Sequence, residues 1–313
     1  MSAPVPALPY VDADSIAGAL PWARATDAVE QSLLDGLDPG TAADRTVVDV
    51  AHGQLLLMPA ETGTAVGVKL GTVAPDNPGR GLPRIQALYV LLDRWTLTPL
   101  ALLDGTALTT LRTPAVSAVA VRHLAGVDAR HLVVFGSGPQ AWGHVESLRA
   151  VRPVDTVTVV GRDPGRAEEL VTRVADSGLH ADLGEPACVA EADLVVCATT
   201  AAEPVFEASQ LKPGACVVAV GSHEPDRREL EASLLARAAA EGGVVVEDLA
   251  VAMREAGDVV MAVAEGAIGP EQLTGLASVV RRDPVPGAIS VFKSVGMGWQ
   301  DLVVAQAVVD RLG

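Results

Sequence analysis

Cations, aromatic rings and sulfur are all scarce in this chain. Only 23 Lys and Arg stand against 39 Asp and Glu, a formal net charge of −16. Binding a phosphate backbone takes clustered Lys and Arg, and no basic stripe occurs, so nucleic acid is not an expected partner. Aromatics make up 3% of the residues and apolar side chains 49%, which leaves the core to be built from Ala, Val and Leu. Three cysteines, Cys188, Cys197 and Cys216, lie in apolar surroundings without ligand-like spacing. That pattern predicts buried thiols, with neither a disulfide nor a metal site. No apolar run reaches the length of a membrane span, and the opening MSAPVPALPYVDADSIAG has neither a basic n-region nor an apolar h-region. Neither membrane insertion nor export is expected, and the expected compartment is the cytoplasm. Internal repeats are absent. The one low-complexity patch, 236–243 (ARAAAEGG), reads as a helix end and turn.

Against these absences stands one informative decapeptide, Leu132-Val133-Val134-Phe135-Gly136-Ser137-Gly138-Pro139-Gln140-Ala141. An apolar strand runs into a Gly-x-Gly turn that opens a helix. Gly136 permits the tight turn, Gly138 lets a pyrophosphate approach the backbone, and the free N–H groups of the new helix attract its charge. Ala141 replaces the usual third glycine, so the motif leans on its context. A strand at His131–Phe135, a helix from Pro139 to Ala150 and a strand at Thr156–Val160 make a βαβ unit. Further apolar runs at Leu194–Cys197, Cys216–Val220 and Val244–Val246 do not alternate, as strands of a parallel sheet covered on both faces do not. The expectation is a Rossmann-type doubly wound sheet binding a dinucleotide. After the second strand the chain reads Gly161-Arg162-Asp163, with no acidic residue at the strand end to meet ribose hydroxyls. Arg162 suits a 2′-phosphate, which favours NADP(H) over NAD(H). Asp163 is the counter-argument, since it serves a ribose equally well as it N-caps the helix opening at Pro164.

Before this turn the texture differs. Segments Thr46–Val50, Gln54–Met58, Ala65–Leu70, Ile85–Leu92 and Pro99–Leu103 read as short strands of a mixed or antiparallel sheet. A helix is expected over Thr113–Leu124, with Pro114 near its first turn, and another from about Met297 to Leu312 after a strand at Ile289–Phe292. The C-terminal helix is expected to return to the first domain. This divides the chain into a first domain, 1–112 with 295–313, and a nucleotide domain, 113–294, with a ligand cleft where they join. Arg45, Lys69 and Arg112 are the candidate cations for that cleft. Lys69 sits inside the apolar run AVGVKL, where a strand lysine needs a reason; blunting a sheet edge is the bland one. Arg45 equally suits the surface start of a strand.

Taken in order, Arg45-Thr46, Met58-Pro59, the GVKL around Lys69, Leu103-Asp104-Gly105, Leu111-Arg112-Thr113, GSGPQA, Gly221 to Leu230, Val291 to Gly296 and Gln300-Asp301 resemble the ornithine cyclodeaminase and mu-crystallin family over about residues 45–305. The resemblance implies a Rossmann domain, a dimerising substrate domain and a nicotinamide cofactor. It also implies hydride transfer at a carbon that bears nitrogen beside a carboxylate. Arg45, Lys69 and Arg112 would then hold that carboxylate. Cofactor contacts are expected from Thr113, Gly136, Gly138, Pro139, Gln140, Ala141, Gly161, Arg162, Asp163, Thr199, Val220, Ser294 and Gly296. Where cyclodeaminases carry aspartate, this chain has His223 in Gly221-Ser222-His223, and an imidazole in that place is suited to protonate an imine. With Lys69 it is the expected catalytic residue. Ala87, and the turn Trp95-Thr96-Leu97-Thr98, also depart from the family pattern. The expected activity is NAD(P)H-dependent reduction at the C–N bond of a small imino or amino acid by a homodimer. An ammonia-releasing amino acid cyclodeaminase, or a catalytically silent mu-crystallin-like binding protein, is the alternative.

Overall fold

The computed structural model describes residues 8–241, 243–281 and 289–313. The leader reading at residues 1–7, and Gly242 of the Ala-rich patch, lie outside the described residues. The chain divides into two compact units. One comprises the described residues through Ser32, Thr41–Arg112 and Met297–Gly313; the other comprises Leu33–Gly40 and Thr113–Gly296.

In the first unit, after β1 (Tyr10–Val11), α1 (Ala13–Ala19) and α2 (Trp22–Leu34), five strands follow: β2 (Thr46–Val50), β3 (Gly53–Glu61), β4 (Ala65–Val73), β5 (Ile85–Asp93) and β6 (Pro99–Asp104). The sheet order is β1-β6-β5-β4-β3-β2, antiparallel except where β1 runs parallel to β6. Alternation assigns the faces. Ala65, Gly67, Lys69 and Gly71 of β4 are buried, while Val66, Val68 and Leu70 are not. The C-terminal helix α10 (Gly298–Leu312) packs on the buried face against β3, β4 and β5. Gly298 lets it come close, because a Cβ there would lie 2.9 Å from the Pro59 carbonyl oxygen.

The helix after β6 starts earlier than its sequence suggests. α3 spans Gly105–Leu124, not Thr113–Leu124, so Arg112 and Pro114 lie in its interior. Two causes override the β-branched texture of LTTLRT. The Asp104 carboxylate accepts from the Thr106 and Ala107 N–H groups, both at 2.9 Å, and so caps an earlier start. Residues 111–121 are then buried on every side, so tertiary packing holds the helix once it has begun. Its C-terminal end is closed by Arg152, whose guanidinium donates to the carbonyls of Val121, Arg122 and Ala125.

The second unit is an α/β fold on an eight-stranded, wholly parallel sheet. Its strands are β7 (His131–Phe135), β8 (Thr156–Val160), β9 (His180–Leu183), β10 (Leu194–Cys197), β11 (Cys216–Ala219), β12 (Gly243–Val246), β13 (Leu273–Gly275) and β14 (Ser290–Lys293). Their order is β13-β12-β14-β11-β10-β7-β8-β9. The helices α4 (Pro139–Arg149), α5 (Pro164–Asp176), α6 (Ala232–Glu241), α7 (Leu249–Glu255), α8 (Gly257–Ala264) and α9 (Leu276–Val280) connect them. β9 and β13 were not expected: β9 is an exposed edge strand, HADL, and β13 is three residues long. The core is aliphatic, with Phe135 stacked on Phe206 at 5.5 Å. Cys197 and Cys216 are buried and Cys188 half-buried, all three as free thiols. Burial pushes the Cys216 thiol up to about 12.

Candidate active site

β7 has β8 on one side and β10 on the other, so the chain winds outward in one direction and then reverses. The carboxyl end of β7 is the resulting switch point, where open α/β sheets bind ligands. Gly136 stands there with φ +109°, and a Cβ on it would lie 2.5 Å from the Ala198 carbonyl oxygen. Gly138 is the N-cap of α4 and supplies no side-chain acceptor, Pro139 opens the helix, and a Cβ at Gly138 would meet open space. First-turn amides with no side-chain cap beside an open approach fit a dinucleotide pyrophosphate. Ala141 is fully buried. His144, one turn along, has its ring nitrogens 2.7 Å from the Gln140 carbonyl and 2.9 Å from the Ser117 hydroxyl, and so ties α4 to α3. Ser117 donates in turn to the Thr113 carbonyl. Burial lowers the His144 pKa to about 4, leaving its ring neutral.

After β8, Gly161 is a packing residue: a Cβ there would lie 2.8 Å from the Ala167 Cβ of α5. Arg162 is exposed. Asp163 is occupied locally, accepting from the Arg166 N–H at 3.2 Å as the N-cap of α5.

The loops after β10, β11 and β14 are fixed by buried carboxylates that the sequence reading missed. Glu229 accepts from the Thr199 N–H and hydroxyl through Oε1, at 2.8 and 2.7 Å, and from the Gly221 N–H through Oε2 at 2.7 Å. Asp258 accepts from the Glu229 and Leu230 N–H groups and pairs with Lys293 Nζ at 2.8 Å. Lys293 also donates to the Ser222 carbonyl. Glu247 accepts from the Ser294 hydroxyl and from the Val295 and Gly296 N–H groups, holding the turn in which Gly296 has φ +78°. One signal for Glu247 was in the sequence, since it directly follows the apolar strand run GVVV. Val220 donates to the Cys197 carbonyl, and His223 lies exposed two residues beyond Gly221.

The first unit carries a second constellation. Lys69, on the buried face of β4, donates to Asp301 of α10 at 2.8 Å and to the Thr109 hydroxyl at 3.3 Å. Arg112 faces the other carboxylate oxygen, Nε to Oδ1, at 3.5 Å and donates to the Gln300 side-chain oxygen at 2.7 Å. Lys69 and Arg112 are each 6% exposed and Asp301 is fully buried. Two cations on one carboxylate leave this cluster a net charge of +1. Burial is the largest influence on Lys69 and lowers its pKa to about 8; Arg112 and Arg45 push the same way, and Asp301 opposes them. Arg45, half-buried just before β2, is therefore within electrostatic reach of Lys69. Tyr89, the register partner of Lys69 on β5, is fully buried beside Gly67, where a Cβ would come 2.3 Å from its hydroxyl.

No helix of the described residues is long and apolar enough to cross a membrane. A Delta(1)-pyrroline-2-carboxylate reductase of Bacillus cereus is 34% identical over 284 residues, covering 85% of each chain. Among solved structures, the Thermococcus litoralis Delta(1)-pyrroline-2-carboxylate reductase in complex with NADH and L-proline superposes with a TM-score of 0.89 at 27% identity, covering 97% of both chains. An archaeal alanine dehydrogenase dimer with bound NAD gives a TM-score of 0.89 at 28% identity over 97% of this chain and 95% of that one. A sequence model of the ornithine cyclodeaminase/mu-crystallin family matches residues 23–313, and the chain belongs to that family.

Proposed function

We propose that the protein is an NAD(P)H-dependent imino acid reductase, converting a small cyclic or linear ketimine of the Δ1-pyrroline-2-carboxylate type to the amino acid. The observation that carries this reading is the buried, net-positive Lys69–Arg112–Asp301 cluster, joined in one chain to a nucleotide-type Gly-rich turn. An anionic carboxylate answers its charge, and a guanidinium and an ammonium together fix that carboxylate in one pose.

Gly136, Gly138 and the first turn of α4 would hold the pyrophosphate, with Thr113, Pro139, Gln140, Thr199, Val220, Ser294 and Gly296 around the cofactor. A reduced nicotinamide bound there supplies a hydride to the imine carbon. Lys69, Arg112 and Arg45 hold the substrate carboxylate, and His223 gives the proton that the imine nitrogen takes up. One imine, one reduced cofactor and one proton yield one amino acid and one oxidised cofactor. His223 in place of aspartate argues against cyclodeaminase chemistry, which needs a fixed negative charge at the substrate ammonium. Exposed Arg162, with Asp163 occupied as a helix cap, supports NADP(H) over NAD(H). The outward face of the first unit's sheet supports a homodimer: Val48, Leu57 and Leu70 are 43%, 37% and 36% exposed there, an apolar patch of the kind that marks interfaces.

The deciding assay mixes the purified protein with NADPH or NADH and a ketimine panel, and separately with ornithine or lysine plus NAD while ammonia is followed. Cofactor oxidation is expected in the first arm. Ammonia release without net reduction would establish a cyclodeaminase, and ligand binding without either a silent binding protein.

A further inference from the structure

Three fully or nearly buried charges of the second unit take no part in the chemistry above, and they form one chain. Lys293 and Asp258 are each 1% exposed, and Glu229 is fully buried. Asp258 grips the Glu229 backbone and is itself neutralised by Lys293, which reaches across from the end of β14. Glu229 is thus aimed by a rigid support, and its two oxygens are divided. Oε1 takes both donors of Thr199, after β10, and Oε2 takes the Gly221 N–H, after β11. Those two loops belong to neighbouring parallel strands beside the switch point. The fit is tight, because a Cβ at Gly221 would lie 2.0 Å from the Thr199 carbonyl oxygen and 2.5 Å from Glu229 Oε1. Burial raises the Glu229 pKa, with Lys293 and the Thr199 donors pulling it back. A buried carboxylate this fully engaged has a geometric task.

We propose that Glu229 is a positioning residue for the nicotinamide cofactor: its carboxylate clamps the loops after β10 and β11 at one spacing, and that spacing is what the bound dinucleotide requires. The inference rests on the reductase reading. A glutamine at this position has one acceptor oxygen where the clamp needs two. Either Thr199 or Gly221 would then face an NH2 group, donor against donor, and one loop is released.

The test measures NADPH and NADH binding by fluorescence titration, and steady-state kinetics on the ketimine, for Glu229→Gln, Thr199→Val and the double variant. Using the cofactor that wild type binds more tightly, Glu229→Gln is expected to raise both Kd and KM for it at least tenfold, with kcat at saturating cofactor changed less. Thr199→Val should weaken binding alone and add less than twofold in the Glu229→Gln background, since both act through one bond. Should Glu229→Gln fail to fold, Gly221→Ala carries the test, because its Cβ forces the same two loops apart with the carboxylate intact; the same rise in KM is expected. Unchanged cofactor Kd in the variants that fold, fully additive effects, or a loss of kcat at constant KM would overturn the clamp and leave Glu229 a core residue. Failure of wild type to bind either cofactor would instead overturn the reductase reading, and this inference with it.

Discussion

Lys69 shows how much of a site one residue can reveal. A lysine between Val68 and Leu70 is conspicuous in the sequence because burying an ammonium is costly unless something needs it, and the structure places it in a charged cluster. Its pKa of about 8 sets a direction. The protonated form binds a carboxylate, and it dominates below pH 8 and is lost above it. We expect kcat/KM for the ketimine to fall as pH rises through about 8, and Lys69→Arg, whose guanidinium keeps its proton, to move that limb to higher pH. Lys69→Ala should lose about 2 kcal/mol of transition-state binding, or roughly 30-fold in kcat/KM; an unchanged value would remove Lys69 from the site. For His223, which sequence position alone brought forward, the measurement is kcat for reduction. His223→Ala should lower it by about 10², and wild-type activity in that variant would remove His223 from the proton transfer. Arg162→Ala should raise the KM for NADPH far more than that for NADH. A wild-type enzyme already preferring NADH tenfold would contradict the reading of that turn. What the sequence hid at this scale were the partners: Asp301 lies 232 positions from Lys69, and Asp258 lies 29 from the Glu229 backbone it grips. Spacing patterns do not register closures of that length.

At the scale of elements, the strands β7, β8 and β10 were legible almost to the residue, because each carries a run of β-branched or large apolar side chains, HLVVF, TVTVV and LVVC, with its core positions buried. The short edge strands β9 and β13 were not, since partial exposure leaves them no pattern. Helix α3 was recognised from Thr113 on, where it is buried through Val121, and missed over 105–112, where the β-branched LTTLRT reads as extended. Its end shows what such burial demands. Carbonyls of Val121, Arg122 and Ala125 have no water to turn to, and the Arg152 guanidinium, 8% exposed, serves all three. Arg152→Ala should therefore destabilise the fold by about 2–4 kcal/mol, seen as a lower urea midpoint at constant slope. A loss under about 0.5 kcal/mol would mean that the helix end satisfies itself.

For the whole molecule, strand order was beyond what composition carries. Nothing in the sequence states that β14 inserts between β12 and β11. The outward sheet face of the first unit makes a prediction at this scale. Leu57→Asp with Leu70→Asp, on paired positions of β3 and β4, should turn a dimer into a monomer by sedimentation or light scattering without unfolding the chain. A monomeric wild type would contradict the assignment of that face.

The position of Asp301 also has a consequence for synthesis. Lys69 and Arg112 leave the ribosome long before the α10 segment that brings their counter-charge, so the first unit cannot bury both cations favourably until Asp301 emerges. The strands made early must wait, while Thr113–Gly296, the bulk of the second unit, is complete before α10 arrives. The strands of the first unit are thus made before Thr113–Gly296 yet complete their charged core only after it, when α10 brings Asp301.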